Sequence, residues 1–211
     1  MKYIIYLLAG IYIIGGIYLI NTFFINKKID INNIKKSIVI IIPKQELISY
    51  KNNPNGLFKN INKGGIGAGF FISNDGKIQT VSHILTKNNI VIYNGKKYNS
   101  KIIKNDIKND LAILKINYTN NNIKLLNKNN STKNKQIIYS FGVEPKTLKI
   151  IYNTGILINN KSKLNNKLNL LEISNNIKPG FSGGPILNSK GEIIGINYAI
   201  SENKKYGINL K

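Results

Sequence analysis

Beyond residue 36 the chain never holds an apolar run for long: each short stretch of Ile, Leu, Val or Phe is cut by Gly, Asn, Asp, Pro or Ser. This punctuation constrains the fold more than any other feature, because it leaves short extended segments and no sustained helical period. Strands are predicted over residues 37–42, 66–73, 77–81, 90–93, 97–103, 111–116, 136–141, 148–158, 168–173, 186–188, 193–200 and 206–210. Asn74-Asp75-Gly76 and Ser189-Lys190-Gly191 join two of the pairs as hairpins, the Asp-Gly step supplying a tight turn. The Asn/Lys-rich stretches 119–135 and 159–167 read as loops, and no internal repeat rises above the composition. Many short strands at this spacing pack as a sandwich or a barrel.

The first residues follow a different rule. Residues 3–25 carry no charge and are long enough to cross a hydrocarbon core as a helix. A cleaved signal peptide would have a shorter apolar stretch and small residues spaced for cleavage; Ala9-Gly10 and Gly15-Gly16 lie inside the run, which favours an uncleaved anchor. The expected organisation is therefore a transmembrane anchor or signal peptide over 1–26, a polar tether over 27–36, and a β-rich region from 37 to 211, long enough for one domain of ordinary size or two small ones. Lysines after the span argue for a domain held inside, whereas the Met-Lys opening argues for the N-terminus inside. Both stay open, and a single-pass protein with an extracytoplasmic domain is taken as the expectation.

The formal net charge of +22 raises the question of nucleic acid. Every positive charge is lysine, and the lysines travel with Asn and Ile along the whole chain. That bias matches A- and T-rich codons, and a phosphate-reading surface would use the planar fork of arginine. No specific nucleic-acid partner is expected, although the charge should attract anionic lipid head groups and acidic polypeptides. With no cysteine and a single histidine, neither a disulfide framework nor a thiolate or histidine-rich metal site is expected, and no cofactor is implied.

Histidine is the usual general base near neutral pH, so hydrolase chemistry in this chain must run through His83. Among the aspartates, Asp30 sits in the tether, Asp75 in a turn, and Asp106 in a lysine-flanked loop. Asp110 instead opens the apolar run Leu111-Ala112-Ile113-Leu114, where a buried carboxylate needs a partner such as an imidazole N–H. The segment Pro179-Gly180-Phe181-Ser182-Gly183-Gly184-Pro185 has what a nucleophilic serine needs: glycines that permit unusual backbone angles and close approach of substrate.

Three separated segments together resemble the signature blocks of trypsin-like serine proteases, and specifically of the HtrA (Deg) family. They are Gly67-Ala68-Gly69-Phe70-Phe71-Ile72 running to Ser82-His83, Asn109-Asp110-Leu111-Ala112-Ile113-Leu114-Lys115-Ile116, and Pro179 to Pro185 continuing through Gly191-Glu192-Ile193-Ile194-Gly195-Ile196-Asn197. They occur in the order His, Asp, Ser, which distinguishes this superfamily from subtilisin-like and α/β-hydrolase enzymes.

The resemblance covers residues 37–211 and implies an all-β fold of two six-stranded antiparallel β-barrels, over 37–120 and 121–211, with a site between them. It implies a serine endopeptidase with His83, Asp110 and Ser182 as triad and the amides of Gly180 and Ser182 as oxyanion hole. Substrate would pair with Tyr198, Ala199 and Ile200, and Asn176 would join them in the specificity pocket, favouring small or aliphatic residues. Polypeptides, including unfolded or damaged ones, would be the substrates, and oligomers would be compatible with the family. The chain departs from the pattern in two ways: Phe181 stands where Asn or Asp usually precedes the serine, and no PDZ domain follows within these residues. The alternative is a protease-fold module that binds polypeptides, or chaperones them, without cleavage.

Overall fold

The computed structural model describes residues 29–52, 65–119, 125–129, 131–164, 168–201 and 203–210. Among them, a short helix α1 (Ile31–Lys35) precedes strand β1 (Ile38–Pro43), and a second helix α2 (Lys44–Asn52) follows it. Ten strands then continue the chain: β2 (Gly67–Phe71), β3 (Lys77–Thr80), β4 (Asn89–Tyr93), β5 (Lys96–Asp106), β6 (Leu111–Ile116), β7 (Ile137–Glu144), β8 (Lys149–Leu164), β9 (Leu168–Ile173), β10 (Pro185–Asn188) and β11 (Ile193–Ser201), with β12 (Lys204–Asn209) closing the set.

The strands form two closed barrels, one in the order β1-β2-β3-β6-β5-β4 and one in the order β10-β11-β12-β9-β8-β7. Read in reverse, the second order is the first with every strand number raised by six. The topology thus repeats although the sequence shows no repeat, because closure requires only a compatible pattern of inward residues. All pairings in both barrels are antiparallel, and closure leaves no free sheet edge over most of their length.

Alternation explains how these strands fold inward. In β6, Ala112, Leu114 and Ile116 are buried and alternate with half-buried Leu111, Ile113 and Lys115. β1 is buried at every position, since one face fills the first barrel and the other meets neighbouring elements. Phe71, Tyr93, Tyr98 and Tyr118 form an edge-to-face aromatic group in the first barrel, and the Tyr93 hydroxyl donates to the Lys36 carbonyl at 2.9 Å. The second barrel has its own core of Ile138, Leu157, Leu171, Ile173, Ile177, Phe181, Ile186 and Ile194.

Three elements differ from the sequence expectations. The stretch predicted as a bare polar tether contains α1, capped by Asp30, whose carboxylate accepts from the Asn33 amide at 3.0 Å. Its Ile34, with Ile29 just before it, is buried against the protein, which a solvated linker would not require. Helix α2 was not predicted because its apolar residues set no helical period: Leu47 is buried while its neighbour Ile48 is exposed. Strand β8 runs through the supposed loop at 159–164, pairing Ser162 with Leu170 across two register shifts; backbone pairing needs no apolar pattern.

No helix among the described residues is long and apolar enough to cross a membrane. The apolar run 3–25, predicted as the anchor, lies outside the described residues.

Candidate active site

Asp110 holds the segment around His83 at several points. Its Oδ2 is 2.6 Å from His83 Nδ1, its Oδ1 accepts from the His83 amide at 2.8 Å, and its main-chain carbonyl accepts from the Ser82 amide at 3.2 Å. Both side-chain oxygens thus act on one residue, so the ring's position follows from the backbone as well as from the imidazole. Asp110 reaches this pose in the left-handed region, with φ 53°, a conformation aspartate tolerates better than most residues. Its side chain is 13% exposed while the imidazole is 42% exposed: a sheltered carboxylate behind a ring open to solvent. Asp106 does something else. Its carboxylate accepts from the Asn109 amide at 3.0 Å and from the Asn109 side chain at 2.8 Å, shaping the turn that delivers Asp110.

Two turns in succession carry Ser182. In the first, the Phe181 amide donates to the Lys178 carbonyl at 3.0 Å, with Pro179 second and Gly180, at φ 98°, third. Proline followed by a positive-φ glycine is the sequence a type II turn requires. In the second, the Gly184 amide donates to the Phe181 carbonyl at 3.0 Å, and Gly183 sits third at φ 83°. Ser182 therefore stands at the crest of the second turn. Among the described residues, no carbonyl receives the amide of Gly180 or of Ser182.

This loop is docked onto the first barrel beside the strand that leads to His83. The Ala68 amide donates to the Ser182 carbonyl at 2.9 Å, while the Thr80 hydroxyl donates to the Ala68 carbonyl at 2.8 Å. A Cβ on Gly183 would collide with that same carbonyl and with the Thr80 hydroxyl. A Cβ on Gly67 would lie 2.6 Å from the Ser182 carbonyl and 2.7 Å from the side chain of Ile84, the residue after His83. No hydrogen bond joins the Ser182 hydroxyl to the imidazole among the described residues; in unliganded hydrolases that contact commonly tightens only with substrate bound.

The residues expected on the substrate side fall into two groups. Tyr198 turns its ring edge-on to His83, centroids 6.1 Å apart, and burial together with the Asp110 charge raises the pKa of its phenol. Tyr198 lies at a register shift between β11 and β12, and from Ala199 to Ser201 β11 pairs with β12 but no longer with β10, so this stretch, which includes Ile200, presents its other edge. Asn176 is exposed, and its carbonyl accepts from the Asn153 side chain at 2.8 Å. No group of three or more His, Cys, Asp or Glu side chains that could hold a metal occurs among the described residues.

With this geometry in view, residues 67–196 match the family of trypsin-like peptidase domains. The chain belongs to that family. Among curated proteins it is similar to a probable periplasmic serine endoprotease, DegP-like, of Chlamydia muridarum, 33% identical over 144 residues, covering 64% of this chain and 28% of that protein. It is also 32% identical over 141 residues to a serine protease of Danio rerio, covering 62% of this chain and 29% of that one. The chain thus spans under a third of the length of these relatives.

Two solved structures share the fold. An HtrA-type protease with a bound tripeptide superposes with a TM-score of 0.67 at 19% identity, covering 85% of this chain and 59% of that one. A serine endoprotease from Yersinia pestis gives 0.64 at 22% identity, covering 84% and 61%.

Within this trypsin-like domain, sequence reasoning missed several residues that hold the site. Asn197 is fully buried: its amide donates to the Gly184 carbonyl, its carbonyl accepts from Gly183, and its side chain donates to the Phe141 carbonyl at 2.8 Å. Asn175, also fully buried, donates to the Asn153 carbonyl at 2.9 Å. In a chain so rich in asparagine neither stood out. A buried amide in the middle of an apolar strand, as in Ile194-Gly195-Ile196-Asn197, was the one signal available for the first of them.

Proposed function

We propose that this chain is a serine endopeptidase in which Ser182 attacks the scissile carbonyl and His83 takes its proton and returns it to the leaving amine. Asp110 holds the imidazole in the tautomer that keeps Nε2 free to accept, and stabilises the imidazolium as it forms. The amides of Gly180 and Ser182 receive the developing oxyanion, where loss of one such donor typically costs ~3 kcal/mol of barrier. The observation that carries this reading is the double grip of Asp110 on the side chain and main chain of His83. A carboxylate that served only to balance charge would not need to fix the ring's backbone as well. The amides of Gly180 and Ser182, which meet no carbonyl among the described residues, support the same assignment.

Substrate enters as an extended strand along Tyr198, Ala199 and Ile200, whose open edge supplies main-chain hydrogen bonds and hence affinity with little sequence dependence. Asn176, with no acidic residue beside it in sequence, favours a small or aliphatic side chain at the cleaved bond over lysine or arginine. Polypeptides with exposed extended segments are the substrate class. Residues 3–25 anchor the domain to a membrane with the protease outside the cytoplasm; resistance of the full chain to alkaline carbonate extraction checks the anchor.

The decisive test uses a fluorophosphonate probe on the folded chain in detergent. Labelling at Ser182, abolished in Ser182→Ala together with cleavage of fluorescein-labelled casein, is the expected result. A folded protein that takes no label and leaves casein intact would be the polypeptide-binding module instead.

A further inference from the structure

Phe181 precedes the proposed nucleophile and has no part in its chemistry, yet its surroundings are among the most constrained in the molecule. The ring is 1% exposed and belongs to the core of the second barrel, with Ile138, Leu157, Ile177, Ile186 and Ile194. It reaches that core over Gly142 of β7, where a Cβ would lie 2.6 Å from both the Cα and the Cγ of Phe181. Only glycine lets the backbone before Ser182 lie this close to the strand. Next along β7, the Val143 amide donates to the Gly180 carbonyl at 2.9 Å.

The main chain of Phe181 also links the two turns. Its amide closes the turn from Lys178, and its carbonyl closes the turn to Gly184. The Ser182 amide belongs to the peptide that leaves Phe181, so rotation about the Phe181 backbone would swing that N–H directly. The Gly180 amide lies in the turn that the Phe181 N–H closes. One side chain therefore governs both of these amides, and it does so through packing.

We propose that Phe181, seated over Gly142, is the positioning residue that presets the oxyanion hole by an apolar anchor. This rests on the assignment of Ser182 and of the Gly180 and Ser182 amides above. An apolar anchor carries no charge to titrate and exchanges no hydrogen bond with water, so the hole holds its shape at any pH at which the barrel is folded. A second, polar strap lies outside it: Lys178 Nζ meets Glu144 Oε2 at 2.7 Å, with both groups partly exposed. On this proposal the strap is secondary.

The experiment compares Phe181→Ala, Phe181→Leu, Gly142→Ala and Leu157→Ala in the full chain, with casein cleavage and fluorophosphonate labelling measured below each variant's melting temperature. Phe181→Ala should lower kcat by about 100-fold, the loss seen when one oxyanion donor is misplaced, with KM within about threefold. The shape of its pH–rate profile should match wild type, because the titrating groups are untouched. Phe181→Leu, which keeps most of the volume, should retain kcat within about fivefold. Gly142→Ala should reproduce the kcat loss without altering the loop's own sequence, and it decides the matter if Phe181→Ala does not fold.

Leu157→Ala opens a smaller cavity in the same core and should lower the melting temperature while leaving kcat per folded molecule unchanged. A folded Phe181→Ala or Gly142→Ala with wild-type kcat would overturn the proposal, as would an equal kcat loss in Leu157→Ala. Failure of the underlying assignment looks different: wild type itself would take no label, and Ser182→Ala would change nothing.

Discussion

The two barrels hold their halves of the site by opposite means. The first grips the His83 segment with hydrogen bonds to one residue, Asp110, whose φ of 53° and sheltered carboxylate make it a polar post at the mouth of a strand. The second shapes the Ser182 loop with backbone turns, two positive-φ glycines and a buried phenylalanine. A polar grip fixes direction, because hydrogen bonds are directional, but it adds modestly to stability once desolvation is counted. A packed loop adds to stability as well, because its anchor is part of the core. Chemistry and folding should therefore separate at Asp110 and travel together in the Ser182 loop.

The largest test of that contrast is Asp110→Asn. The amide preserves shape but favours the wrong imidazole tautomer, and kcat should fall by about 10⁴-fold with little change in melting temperature. Stopped assays on protein of verified fold would show it, and a parallel loss of stability would erase the distinction between the barrels. Gly183→Ala should come next, since it forces a side chain to φ 83° and into Ala68 and Thr80. Activity should be abolished and stability lowered by about 2–4 kcal/mol, read by urea denaturation.

Thr80→Val removes the hydroxyl that donates to the Ala68 carbonyl and leaves that acceptor unpaired, at about 1–3 kcal/mol. Because Ala68 in turn holds the Ser182 carbonyl, a kcat loss of severalfold should accompany it. An unchanged kcat would show that the two barrels are less coupled at this seam than their hydrogen bonds imply.

The smallest effect concerns the turn of the β10–β11 hairpin. Glu192 accepts from the side chains of Asn188, at 2.7 Å, and of Asn129, and these bonds hold its carboxyl below the ordinary glutamate value of 4.5. A depressed folded pKa means that its stabilisation is present above that ordinary value and lost as pH falls through the folded one. Melting temperature should therefore decline on acidification below about pH 4.5, and Glu192→Gln should flatten part of that decline while leaving kcat alone.

Particular residues show how far the sequence could be read. The hairpin at Asp75-Gly76 and the strand bounds of β4, β6 and β9 follow from short-range chemistry, since turn residues and alternation act over a few positions. His83 could be singled out because it is the only histidine, and Asp110 because it opens an apolar strand. Phe181 was legible only as a departure from a pattern. Its burial over Gly142 depends on a strand some forty residues away, and no local signal reports that distance. Helix α2 and the far end of β8 were missed for the converse reason: their hydrogen bonds are made by backbone, which every residue possesses.

By itself the sequence determined that the fold is built of short strands, roughly where most of them lie, and in what order the candidate residues His83, Asp110 and Ser182 come, because these depend on residue type and near neighbours. Only the tertiary structure decided that one carboxylate would hold both ring and main chain of His83, and that a phenylalanine over a missing Cβ would hold the serine loop. Those outcomes arise when closed barrels bring distant backbone within a few ångströms, where steric exclusion and hydrogen-bond direction leave few arrangements.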